Sequence, residues 1–195
     1  MSNSTLIPMF PLALLPLPGE FVPLHIFEPR YKQLLHDAET NDIVFGIYFS
    51  HEINIQQVGS LMKLESVLKR HPNGESDIIV KCSNIFTLDK LYRTFKTKDY
   101  PGGDVTLWQT DGSLVPGPGL FDLFAEYMVL RNITKHVTGF DLYQIAIELN
   151  LDFSDRYKFL TSTNHKKESF LITRLKFQCH VLRQEEKSKD VFHLN

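Results

Sequence analysis

Two cysteines, Cys82 and Cys179, are all that the 195 residues contain. That is too few for a disulfide framework, and two reduced, buried thiols are the expected state. Long apolar runs are missing too: none approaches the roughly 20 residues that a membrane span needs. The opening MSNSTLIPMFPLALLPLPGEF is apolar, but it lacks a basic leading region, and Pro8, Pro11, Pro16 and Pro18 interrupt it. It does not read as a signal peptide, and cytoplasmic localisation is the expectation. An excess of one charge is also absent. Lys+Arg number 21 and Asp+Glu 23, a formal net charge of -2. Such a balance gives no electrostatic footprint for nucleic acid or an anionic membrane surface. Hydrophobic residues at 43% and charged residues at 23% belong to a folding chain, not a disordered one.

Proline is present in quantity, and unevenly. Pro8, Pro11, Pro16, Pro18, Pro23 and Pro29 all fall in the opening segment, which should run extended and turn at Pro18-Gly19. Pro29 suits the first turn of a helix, where its missing N–H costs nothing. Tyr31, Leu34, Leu35 and Ala38 would share the apolar face of that helix, and Asn41-Asp42 would end it. Strands are expected at 6–12, 43–49, 53–58, 60–68, 77–82, 85–91 and 105–109. Gly46 lies inside the second, and Ser83-Asn84 separates the fifth from the sixth. Short strands at this spacing point to a closed or nearly closed antiparallel sheet. The stretch TDGSLVPGPG at 110–119 is the best boundary, giving subdomains 1–117 and 118–195. Beyond it the period turns helical: Leu120, Phe124, Tyr127 and Met128, then Leu142, Ile145 and Leu149 behind an Asp141 cap, then Tyr157 and Leu160 behind Ser154. A final helix should start near Asn164, with Phe170, Leu171, Leu175, Cys179 and Leu182 on its apolar face.

No catalytic constellation stands out. Glu28 precedes Pro29 and is placed to accept from early helix N–H groups, and Arg30 to pair with a neighbouring carbonyl or acid. His25, between Leu24 and Ile26, reads as a hydrogen-bonded packing residue. The eight histidines form no His-Glu-x-x-His pair, and Cys179-His180 point about 100° apart on a helix. No catalytic residue, metal or cofactor is expected.

The segments Leu6-Ile7-Pro8-Met9-Phe10-Pro11-Leu12, Leu17-Pro18-Gly19 and Pro23-Leu24-His25-Ile26-Phe27-Glu28-Pro29-Arg30-Tyr31 closely resemble the opening of the N-terminal substrate-binding domain of the ATP-dependent Lon protease. Phe45-Gly46-Ile47, Val58-Gly59-Ser60-Leu61 and Tyr100-Pro101 resemble later landmarks of that family. There is one departure: where the family carries a Gly and an Arg-Phe pair, this chain reads Cys82, Ile85 and Phe86. The resemblance implies an α+β fold, a PUA-like pseudo-barrel of mostly antiparallel strands followed by a C-terminal helical bundle. It also implies a stand-alone polypeptide-recognition module. Its partners would be unfolded or apolar polypeptide segments, and Pro23, Phe27 and Tyr31 would be the candidate peptide-binding residues. The alternative is an adaptor or oligomerising protein that recruits a protease or chaperone. An RNA-binding PUA-like module comes third, against the charge balance. No G-x-x-x-x-G-K-[ST] phosphate loop and no peptidase serine motif is present, so no ATPase or peptidase activity is expected.

Overall fold

The structure, a computed structural model, describes residues 4–109, 114–133 and 139–192. Part of the expected boundary, 110–113, lies outside the described residues. The chain divides into two compact units, Met1–Thr110 and Asp111–Asn195.

The first unit holds β1 (Ser4–Leu12), β2 (Phe21–Ile26), α1 (Pro29–Asn41), β3 (Phe45–Phe49), β4 (Val58–Arg70), β5 (Ser76–Tyr92) and β6 (Gly102–Leu107). These strands form one six-stranded sheet in the order β2-β5-β4-β3-β1-β6, with a further pairing between β5 and β6. The expected pseudo-barrel is therefore corrected: the fold is α+β, but the sheet is not a barrel. Full closure abolishes edges, whereas β2 pairs only with β5 among the described residues. Pro23 within β2 has no N–H to give a second neighbour, which suits a strand to an edge. The pairing is also mixed, because β1 runs parallel to β3.

Two further expectations are corrected. Of residues 53–58, 53–57 are turn and loop, and only Val58 is strand, as the first residue of β4. Buried Asn54 donates to the carbonyls of Phe49 (2.7 Å) and Val58 (2.8 Å) and accepts from the Val58 N–H at 2.8 Å. One side chain thus replaces a ladder, as Asn does in turns. Second, 77–82 and 85–91 form one strand. Ser83-Asn84 marks a register shift, with Leu61 opposite Asn84 and Met62 opposite Cys82.

The core of the sheet gathers Ile7, Met9, Leu61, Phe86, Leu88 and Val105. Phe86 lies against the two landmark glycines. A Cβ on Gly46 would come 2.8 Å from its ring, and one on Gly59 would come 2.3 Å. Cys82 and Ile85, the departures from the family pattern, are both buried. Burial raises the Cys82 thiol to about 12, which makes it a packing group and not a nucleophile.

Helix α1 begins at Pro29 and ends at Asp42, which takes a left-handed conformation (φ 48). Its inner face carries Tyr31, Leu34, Leu35 and Ala38, as the spacing predicts. Buried Asp37 accepts from the Tyr100 hydroxyl at 2.7 Å and from Lys98 Nζ at 2.9 Å. Burial pushes this carboxyl up, but the hydrogen bonds from Lys98 and Tyr100 outweigh it and hold the group below its ordinary value. A lowered acid stabilises the fold above about pH 3.9, and the contribution is lost as pH falls through the native value. Tyr100→Phe is therefore expected to cost about 1–2 kcal/mol at pH 7 and less at pH 3, as read from urea midpoints at the two pH values.

The second unit holds α2 (Pro118–Leu130), α3 (Leu142–Glu148), α4 (Phe153–Thr161) and α5 (Asn164–Phe192). Asp141 caps α3 in a reciprocal capping box with Gln144. Helix α4 is capped by Asp152, not by Ser154. Glu168 of α5 accepts from the Gly117 N–H at 2.9 Å, which places a carboxylate at the positive end of α2. Leu171, Leu175 and Cys179 form the buried stripe of α5, and this helix packs against α2, α3 and α4.

Candidate functional site

Two exposed aromatics of the first unit, Phe21 and Phe27, flank β2, whereas exposed Leu6, Ile55, Leu68, Leu91 and Leu107 lie on other segments. The turn before β2 uses Gly19 at φ 88 and ties back through Gly19 N–H to Cys82 O at 2.9 Å. From there the strand alternates with period two. Val22, Leu24 and Ile26 are partly or fully buried, while Phe21, Pro23 and His25 are exposed. The exposed set faces the same side of β5: Phe21 lies opposite Lys81, Pro23 opposite Ile79, and His25 opposite Asp77. Lys81 Nζ sits 5.0 Å from the Phe21 ring centroid, a cation–π distance. The strand ends at Ile26, and the ring of Phe27 just beyond it stacks beside His25 with centroids 6.1 Å apart.

Phe21 is 53% exposed and Phe27 57%. Apolar side chains scattered singly on a surface need no explanation, whereas open aromatics grouped on one face can mark a contact surface. Of the three residues expected at the site, Pro23 and Phe27 are on the surface. Tyr31 is buried, stacked on Phe10 with ring centroids 3.9 Å apart. It borders a cavity of only about 10 Å³ with Ile26, Leu34 and Phe45, room for about one water. Phe21 does not stand out in the sequence, because 21–26 reads there only as an extended, proline-bearing segment. The alternation of Val22, Leu24 and Ile26 was the available signal.

The neighbouring polar residues take structural roles. Glu28 makes no side-chain cap hydrogen bond with the helix, which corrects that expectation. It accepts instead from Arg30 Nε at 2.9 Å. The Arg30 guanidinium in turn lies 4.7 Å over the Tyr31 ring. His25 is not packed in the core. Its Nδ1 is 2.7 Å from Asp77 and its Nε2 is 3.1 Å from Glu75. The hydrogen bond to Asp77 raises His25 above its ordinary value.

The family model of the ATP-dependent protease La (LON) substrate-binding domain matches residues 6–119. The chain belongs to this family. The match runs from Leu6 in β1 through β6 into α2, β2 and Phe27 included, and the matched model describes a substrate-binding domain, not an ATPase or peptidase domain. The crystal structure of the Lon N-terminal domain protein from Xanthomonas campestris superposes with a TM-score of 0.68 at 21% identity. It covers 87% of this chain and 98% of that one, and it shows a shared fold. The N terminal domain of Mycobacterium avium complex Lon protease matches at a TM-score of 0.49 and 15% identity, over 91% of this chain and 96% of that one. No curated protein matches the chain. Among the described residues, no helix is long and apolar enough to cross a membrane.

Proposed function

We propose that this protein is a non-catalytic polypeptide-recognition module. It takes unfolded or apolar segments on the outward side of β2, with Phe21, Pro23 and Phe27 as the contact residues. Tyr31, buried against Phe10, does not touch the client. The observation that carries this reading is the family match to a substrate-binding domain. The exposure of Phe21 and Phe27 on one strand and its exit supports the location. Aromatic side chains supply large contact area at small conformational cost, which suits recognition of many sequences.

The test is anisotropy of a dye-labelled, reduced and carboxymethylated globular protein titrated with the full chain. Binding to the unfolded probe is expected, with none to its native form. A Phe21→Ser, Phe27→Ser chain should bind about tenfold or more weakly, since two aromatic contacts carry at least about 1.4 kcal/mol. Its melting temperature should fall only slightly, because both rings are more than half exposed. Equal affinity in the folded double variant would overturn the location. No affinity for any unfolded probe would overturn the function.

A further inference from the structure

The hairpin between β4 and β5 closes at His71-Pro72-Asn73-Gly74-Glu75. His71 donates its backbone N–H to Glu75 O at 2.8 Å, and Gly74 takes φ 79. The turn brings His71 back toward Asp77, two residues into β5. The β2–β5 register brings His25 to the same carboxylate from the other side. Asp77 then lies between two imidazoles: one oxygen is 2.7 Å from His25 Nδ1 and the other is 2.7 Å from His71 Nε2. One donor atom from each of His25, His71 and Asp77 falls within 4.8 Å of the other two. Donors bound at 2.0–2.2 Å to a tetrahedral Zn²⁺ stand about 3.3–3.5 Å apart. The two short pairs use different Asp77 oxygens, so the carboxylate must turn to offer one of them while the three donors adjust to that spacing. Small side-chain rotations can do this, because all three groups are partly exposed.

A fourth residue makes the arrangement more than an ion-pair cluster. His25 Nε2 faces Glu75 at 3.1 Å. With Nδ1 on a metal, the remaining ring N–H would donate to that carboxylate, the outer-shell partner that orients metal-bound histidines. Charge balances as well: two neutral imidazoles with Asp77 and Glu75 carry -2, which a divalent cation neutralises. Lys69, opposite Asp77 in the register, and Lys32, whose Nζ reaches Asn73 O at 3.3 Å, are the nearby opposing charges.

We propose that His25, His71 and Asp77 form a three-ligand site for Zn²⁺, oriented by Glu75, with the fourth position open to water. The ion would fasten the free edge strand β2 to the β4–β5 hairpin, beside exposed Phe27. It would replace the protons that the imidazoles otherwise share with Asp77, and binding releases them to solvent. Sequence spacing could not reveal such a site, because strand register assembles it.

The experiment is calorimetric titration of the tag-free, chelator-treated full chain with Zn²⁺, and a parallel titration with Co²⁺ followed by absorbance. One equivalent is expected to bind with a Kd of about 1 µM. Cobalt should give tetrahedral visible bands without thiolate charge transfer. His71→Ala should weaken binding about 100-fold, and Glu75→Gln about tenfold with the stoichiometry kept. Asp77→Asn, nearly isosteric, serves if His71→Ala fails to fold. Binding weaker than about 100 µM, or binding unchanged in His71→Ala or Asp77→Asn, would overturn the site. Neither outcome bears on polypeptide recognition, which is read with chelator present.

Discussion

A Gly59→Ala chain is expected to lose about 3 kcal/mol of stability, at the upper end of typical overpacking costs. The new methyl would stand 2.3 Å and 2.5 Å from Phe86 ring carbons and 2.8 Å from the backbone oxygen of Ile47. Neither neighbour yields cheaply. The Phe86 ring is fully buried and also rests on Gly46, where an added Cβ would meet it at 2.8 Å. The Ile47 carbonyl is part of β3. Interiors are packed to crystal-like density, so the strain must go into displaced strands or an off-rotamer ring. The urea midpoint should fall while the m-value stays constant. Adding Phe86→Leu should recover part of the loss, so the double variant lies above the sum of the singles. Gly119→Ala is the control. Its Cβ meets nothing within 4 Å and it lies in α2, so stability should hold or rise slightly. An unchanged midpoint in Gly59→Ala would mean that Phe86 does not fill the space over the two glycines.

The second large effect belongs to the helical unit. Leu175 is fully buried, one turn from Leu171 and one turn from Cys179. Leu175→Asp removes the side chain from that stripe, worth about 2–5 kcal/mol on truncation alone. It also places a carboxylate where water does not reach, which adds several kcal/mol more, or forces the acid to stay protonated. Marginal domains do not survive a combined loss of that size. Far-UV ellipticity at 222 nm is therefore expected to fall sharply at 25 °C. Trp108 lies in the other unit, with its indole N–H on Thr87 Oγ1 at 2.8 Å, and its emission reports separately on the sheet. Leu175→Ala should melt cooperatively at a lower temperature. Full helicity in Leu175→Asp would contradict the packing described for α5.

The helices were readable in the sequence because their period and their stop signals agree. Pro29, the stripe Tyr31, Leu34, Leu35 and Ala38, and Asp42 each mark the same α1, and consistent local signals of this kind fix an element. The sheet was less readable because single polar side chains decide it. Asn54 turns an apolar, β-branched run into a loop by binding backbone at three points. Asn84 looks like a turn residue, yet its Oδ1 accepts from the Ile85 N–H at 2.8 Å within one continuous strand. Pro23 lies in a segment that reads only as extended, and it sits in a strand at the end of the sheet order. The order of the sheet depends on pairings between distant segments, and periodicity does not encode these. The same limit applied to the surface. Phe27 and Pro23 stood out by type, whereas the approach of His25, His71, Glu75 and Asp77 follows from register alone.

The most direct test of the recognition claim is site-specific photocrosslinking. A benzophenone amino acid placed at position 27 in one chain, and at exposed position 177 in α5 in another, is irradiated with the unfolded, carboxymethylated probe. Position 27 should capture the unfolded probe and not its native form, and position 177 should capture neither. Capture from 177 in place of 27, or from neither position while the probe still binds, would contradict the placement of recognition on β2 and its exit.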